Sequence, residues 1–169
     1  MNGFFAKECL ELLPANYCRV FVYENPDDPA EIWGFYTLSA SQIARAATTG
    51  SEQKRIPGGL PVPMVRIGFM GRSDRAPAGL GSALIVDAAR RVSRVKDIAV
   101  WGLCLDADGG PENAPLWRWY LRNGFTPARA VEYRHFMLER QVRCVYLNRQ
   151  QQFFLLSPRS WLWIPRQSD

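Results

Sequence analysis

Short apolar runs separated by turn-forming residues set the pattern of the chain. Arg19-Val20-Phe21-Val22-Tyr23 is rich in β-branched and aromatic residues and stops at Asn25-Pro26-Asp27-Asp28-Pro29, after which Ile32 to Leu38 resumes. That alternation predicts an antiparallel hairpin. Residues 41 to 63 are polar and then rich in Gly and Pro from Ile56 to Pro63, which predicts a long connection, extended in its second part, with any helix confined to about Ser41 to Ala47. Met64 to Met70 is the next strand candidate. Leu80, Ala83, Leu84, Ala88, Val92 and Val95 then recur at helical spacing and predict a helix from about Gly79 to Val95, with Arg90, Arg91 and Arg94 mostly on other faces.

Ile98 to Leu105 is strongly apolar and bounded by Asp97 and by Asp106-Ala107-Asp108-Gly109-Gly110, the signature of a buried central strand. A second helix follows, opened by Asn113 as N-cap with Pro115 in its first turn and closed at Asn123-Gly124. Phe125-Thr126-Pro127 leads to a last core strand at about Tyr133 to Leu138. The order strands, connection, strand, helix, strand, helix, strand predicts an α/β fold with a mixed sheet and helices against it.

A length of 169 residues fits one domain with a core of its own. No apolar run approaches the roughly 20 residues that cross a bilayer, and the first residues lack the regions of a signal peptide, so a cytoplasmic protein with no membrane partner is expected. Cys9, Cys18, Cys104 and Cys144 have no CxxC spacing, and His135 is the only histidine. Buried reduced thiols are expected and a metal site is not. The net charge of +5 is unevenly placed: residues 1 to 84 hold 8 basic and 8 acidic side chains, residues 85 to 169 hold 13 and 8. Arginine outnumbers lysine 18 to 3, and its planar fork suits phosphate; arginines solvating helix faces would explain the charge equally well.

Chemistry concentrates in Arg75-Ala76-Pro77-Ala78-Gly79-Leu80-Gly81-Ser82, between a strand and an amphipathic helix. Glycines there let a pyrophosphate approach, and free amides with the helix dipole attract it. A tight strand-to-helix turn uses the same residues, so the loop alone is weak evidence. Asn113, Tyr120, Gly124 and Phe125 add an N-x6-Y-x3-G-F pattern on and after the next helix. Together the two motifs resemble the GNAT acetyltransferase superfamily over about residues 17 to 138. The resemblance implies an α/β fold whose mixed, mostly antiparallel central sheet is flanked by helices, with a domain over 1–138 and a C-terminal tail, 139–169.

Acetyl-CoA is the implied co-substrate. By position, Ala78, Gly79, Leu80, Gly81 and Ser82 would line its pyrophosphate, Asn113 would lie along the pantetheine arm, and Tyr120 would face the sulfur. One backbone N–H near Phe69 to Gly71, at Met70, would receive the thioester carbonyl. Ala76 stands where the family usually has Gln or Arg, and Pro77 where glycine is common; Arg72 or Arg75 is the candidate replacement contact. A phenol of ordinary pKa about 10 can protonate the leaving thiolate, which is the role for Tyr120; Trp117, Tyr120 and Leu121 also share a helical spacing, so a packing role is the alternative. Neither a histidine nor a carboxylate pair stands out as general base. Asp106 and Asp108 are candidates at a strand end where turn residues are ordinary, and His135 reads as structural.

Two further strings, Gly34-Phe35-Tyr36-Thr37-Leu38-Ser39-Ala40 and Leu60-Pro61-Val62-Pro63-Met64-Val65, resemble a narrower group, the acetyltransferase toxins of toxin-antitoxin systems. That resemblance implies aminoacyl-tRNA as acceptor, Arg90, Arg91, Arg94, Arg118 and Arg122 as candidate phosphate contacts, and a ribbon-helix-helix antitoxin as partner. The segment before Arg19 is shorter than the strand and helix with which those toxins open. For the tail, the readings are a packed appendage, a lid, or a surface for an antitoxin or for a second copy in a homodimer. A conventional GNAT enzyme for a small amine or protein, and a GNAT-shaped binding module without catalysis, are the competing functions.

Overall fold

The computed structural model describes residues 7–108 and 113–129, together with the backbone of strand 143–148. A short helix α1 (Cys9–Leu12) precedes the hairpin of β1 (Arg19–Asn25) and β2 (Asp28–Ile43). The hairpin turn is tighter than the prolines suggest: Asn25 pairs with Asp28, and the Asp27 N–H donates to Asn25 Oδ1 at 3.0 Å, an Asx-turn. β2 runs to Ile43, so the helix expected near Ser41 to Ala47 is displaced. Ser41, Gln42 and Ile43 pair instead with Met64, Pro63 and Val62, and only a 3-10 turn (Arg45–Ala47) and the short α2 (Gly50–Gln53) follow. Non-local pairing with β3 (Val62–Arg72) outweighs the weak local helix signal.

α3 (Leu80–Arg94) lies across the sheet on a face of Leu80, Leu84, Ile85, Ala88, Ala89 and Val92, all buried. Gly34 on β2 makes this approach possible, since a Cβ there would stand 3.1 Å from Leu84 Cδ1 and 3.2 Å from Leu80 Cδ2. β4 (Gly102–Ala107) begins later than the apolar run: Ile98 is 64% exposed, and the chain joins the sheet only where the Trp101 N–H donates to the Pro63 carbonyl. α4 (Ala114–Arg122) follows, then β5 (Thr126–Pro127) and β6 (Arg143–Asn148).

The six strands lie in the order β1-β2-β3-β4-β6-β5. β3 and β4 are parallel and every other neighbouring pair is antiparallel, which is the mixed, mostly antiparallel sheet expected. β6 lies beyond residue 138 and pairs with β4 along its whole length, from Gly102↔Asn148 to Ala107↔Arg143. The sheet therefore extends into the segment set aside as a tail. The strand expected at Tyr133 to Leu138 lies outside the described residues, as do Cys144's side chain and His135. Cys9, Cys18 and Cys104 are buried free thiols.

Candidate active site

Where β3 and β4 part, the sheet opens. Their parallel ladder runs from Met64↔Gly102 to Ile67↔Leu105 and ends there, although β3 continues to Arg72. The gap is a cleft of about 650 Å³, walled by β3 residues 66–72, by Leu105, Asp106 and Asp108 from the β4 end, by Gly81 and Leu84 of α3 and by Leu116, Trp119 and Tyr120 of α4. Its volume is that of a small-molecule site.

β3 presents backbone donors to this cleft. Phe69 and Ser73 both donate their N–H groups toward β2, to Thr37 Oγ1 at 2.9 Å and to the Trp33 carbonyl at 2.8 Å. Amides alternate sides along a strand, so those of Met70 and Arg72 point the other way, where β4 has diverged. By this alternation the Met70 amide faces the gap.

At one end of the cleft stands the N-terminus of α3. Gly79 is its N-cap at φ +88°, a left-handed conformation, and no side chain caps the helix. Leu80 and Ala83 donate their amides to Pro77 and Gly79 carbonyls, while the first-turn amides of Gly81 and Ser82 have no place in the intrahelical ladder. A Cβ at Gly79 would meet nothing within 4 Å, whereas one at Gly81 would stand 3.1 Å from Trp119 Cζ2. Ala78 and Gly79 are exposed and Leu80 is a core residue. Ala76 is buried against the core, which accounts for a small apolar side chain there. Its carbonyl accepts from Arg72 Nη1 at 3.1 Å. The Arg72 side chain therefore braces the loop, and Arg75, 85% exposed, leans toward Glu31 at 3.6 Å.

Tyr120 closes the cleft from α4. Its position is set by the helix end: Phe125 donates its N–H to the Tyr120 carbonyl and Gly124, at φ +86°, donates to Leu121, a Schellman ending in which the two flanking rings meet. The Phe125 and Trp119 rings lie 5.8 and 5.0 Å from that of Tyr120, both edge-on. Gly124-Phe125 thus has a physical function, to clamp Tyr120. Burial pushes the Tyr120 phenol up from its ordinary value, and the negative charge of Asp108 pushes the same way, so the proton stays on the oxygen. Asp106, a candidate base, is instead ion-paired with Arg66 across the strands. Asn113 is exposed, outside the cleft lining, and donates from Nδ2 to the Asp108 carbonyl at 3.4 Å.

A second cavity of about 530 Å³ meets the first at Arg66, Gly68 and Phe69. Glu8, Leu12 and Tyr17 line it together with Ser39, Ala40 and Ser41 of β2. The two strings Gly34–Ala40 and Leu60–Val65 are neighbours in the sheet, with Ala40 opposite Val65. Of the arginines, Arg94, Arg118 and Arg122 are exposed and Arg90 is half-buried. Arg91 is committed internally: its Nε donates to Asp87 Oδ2 at 2.8 Å and to Tyr36 Oη at 2.9 Å, and its guanidinium lies 4.1 Å from the Phe21 ring centre. Tyr36 also donates to Asp87.

Neither a protein-family model nor a curated protein matches the chain. Solved structures do. AtaT complexed with acetyl-methionyl-tRNAfMet superposes with a TM-score of 0.75 at 20% identity over 92% of this chain and 85% of that one. A tyrosine-to-phenylalanine mutant of KacT gives 0.73 at 21% over 91% and 84%. The chain shares the GNAT-like fold of these structures. AtaTR bound with acetyl-CoA shares that GNAT-like fold with a TM-score of 0.65, at 21% identity over 92% of this chain and 84% of that one. Arg66 and Trp119 line the cleft, and Thr37 lies buried behind its β3 wall, without a motif to mark them: each is defined by what it meets across the sheet or the helix pair.

Proposed function

We propose that the chain is an acetyl-CoA-dependent N-acetyltransferase whose acceptor is the α-amino group of an amino acid esterified to tRNA. The observation that carries the reading is the cleft where β3 and β4 separate, because it brings a strand amide at Met70, an uncapped glycine-bearing helix N-terminus and the protonated Tyr120 to one place. The residues fit acetyl-CoA. Amides of Gly81 and Ser82 suit a pyrophosphate, and the open space over Gly79 admits it. Likeness to AtaT with acetyl-methionyl-tRNAfMet and to AtaTR with acetyl-CoA supports both substrates.

In this reading Met70 N–H holds the thioester oxygen as negative charge develops on it. The acceptor amine enters from the second cavity, its nitrogen bonds to the acetyl carbon, the carbon–sulfur bond breaks, and Tyr120 gives its proton to the departing sulfur. The proton that the attacking nitrogen sheds goes to solvent. With Asp106 held by Arg66, the site favours an amine that is already substantially neutral, and an α-amino group at about 7.7–8.0 meets that need better than a lysine at about 10.4. Arg94, Arg118 and Arg122 are the exposed candidates for tRNA phosphates. Such an acceptor places the protein in the cytoplasm, and a ribbon-helix-helix antitoxin is its expected neutralising partner.

Expression of the chain without a partner is expected to arrest protein synthesis, measured by incorporation of labelled amino acid, and expression of Tyr120→Phe is expected to leave synthesis running. Unimpaired incorporation with abundant wild-type protein would sink the toxin reading.

A further inference from the structure

Thr37 is 1% exposed, unusual for threonine, and its hydroxyl lies in the seam between β2 and β3. The ladder pairs Tyr36 with Met70 and Leu38 with Ile67, so Thr37 alone faces both Gly68 and Phe69. An extra residue of this kind interrupts the regular ladder at that point. Here the Phe69 N–H finds Thr37 Oγ1 at 2.9 Å. A Cβ on Gly68 would stand 3.2 Å from the same oxygen, so the glycine keeps room for the hydroxyl. The bulge sits one residue before Met70, and a slip of one position would exchange the amides that face β2 with those that face the cleft.

We propose that Thr37 is a positioning residue for acetyl transfer: its Oγ1 fixes the β3 bulge in the register that aims Met70 N–H at the thioester oxygen. The inference rests on the acetyl-transfer reading above. It demands the hydroxyl and not merely the shape of the side chain, so Thr37→Val and Thr37→Ser separate it from packing.

Thr37→Val is expected to lower kcat by about tenfold or more with KM for acetyl-CoA changed less than about twofold, since a misaimed donor acts in the transition state. Thr37→Ser is expected to restore kcat to within about threefold of wild type. Gly68→Ala, which crowds the hydroxyl while keeping it, should shift kcat in the same direction as valine and serves if Thr37→Val does not fold. Amide spectra give a readout independent of turnover. In the wild-type chain the Met70 amide should respond differently to acetyl-CoA and to CoA; in Thr37→Val that difference should vanish and the Phe69 amide should exchange about tenfold faster or more. A purely structural hydroxyl would lower thermal stability and leave the Met70 response and the kcat-to-KM split unchanged. Wild-type kcat in folded Thr37→Val, or serine as impaired as valine, overturns the proposal while acetyl transfer stands. A wild-type chain that binds no acetyl-CoA overturns the acetyl-transfer reading, and this inference with it.

Discussion

Replacement of Tyr120 by phenylalanine is expected to lower kcat by about 100-fold or more, the usual contribution of a positioned general acid, with acetyl-CoA affinity nearly intact. The ring is what Trp119 and Phe125 grip, so the variant keeps its packing and loses only the proton donor. The pH profile adds a sign. Burial and then Asp108 raise the phenol's pKa; the proton-bearing form that catalysis needs therefore persists above the ordinary phenol value of about 10. The alkaline fall of kcat due to Tyr120 should begin above that value, and the acid-side rise should follow the acceptor amine. Pre-steady-state and steady-state rates on a folded variant decide it: wild-type turnover in Tyr120→Phe would reduce Tyr120 to a packing residue.

The second large effect is expected at the α3 N-terminus. Gly79→Val should abolish measurable acetyl-CoA binding by calorimetry or weaken it at least about tenfold, because losing even one charge-assisted amide contact of about 1.5–3 kcal/mol exceeds the 1.4 kcal/mol that a factor of ten represents. Two causes act together. The valine side chain would occupy the open space over the first turn, and φ +88° is a conformation that a β-branched residue resists. Gly79→Ala separates them, since it carries most of the backbone strain with little bulk; its affinity should lie between those of wild type and valine. Unchanged affinity in a folded Gly79→Val chain would remove this turn from the cofactor site.

The elements that could be read from the residues are those whose signals are local. α3 and α4 announce themselves by helical spacing, by Gly79 and Asn113 at their starts and by Gly124 at the end of α4, and the structure places them within a residue or two of those marks. The glycine turn and Tyr120 were legible for the same reason. What escaped depends on partners distant in sequence. β2 ends in Ser-Ala-Ser-Gln-Ile, a string that becomes strand only because β3 lies beside it. The apolar run from Ile98 overshoots the start of β4 at Gly102, because a continuous apolar run does not distinguish the paired segment from its approach. Thr37 meets Phe69 from 32 residues away, and Arg66 meets Asp106 across the parallel pair. Arg91, a candidate phosphate contact by resemblance, reaches back one helical turn to Asp87 and across to Tyr36; periodicity gives the face of a Cα, and a long flexible side chain need not follow it.

The acceptor is identified by transfer of labelled acetyl from acetyl-CoA with charged tRNAs, a small primary amine and a peptide offered side by side across a salt series. Label is expected on the α-amino group of at least one aminoacyl-tRNA, with transfer that weakens steeply as salt rises, because phosphate contacts release counterions. Label on the small amine or the peptide, with no charged tRNA modified even at low salt, would contradict an aminoacyl-tRNA acceptor.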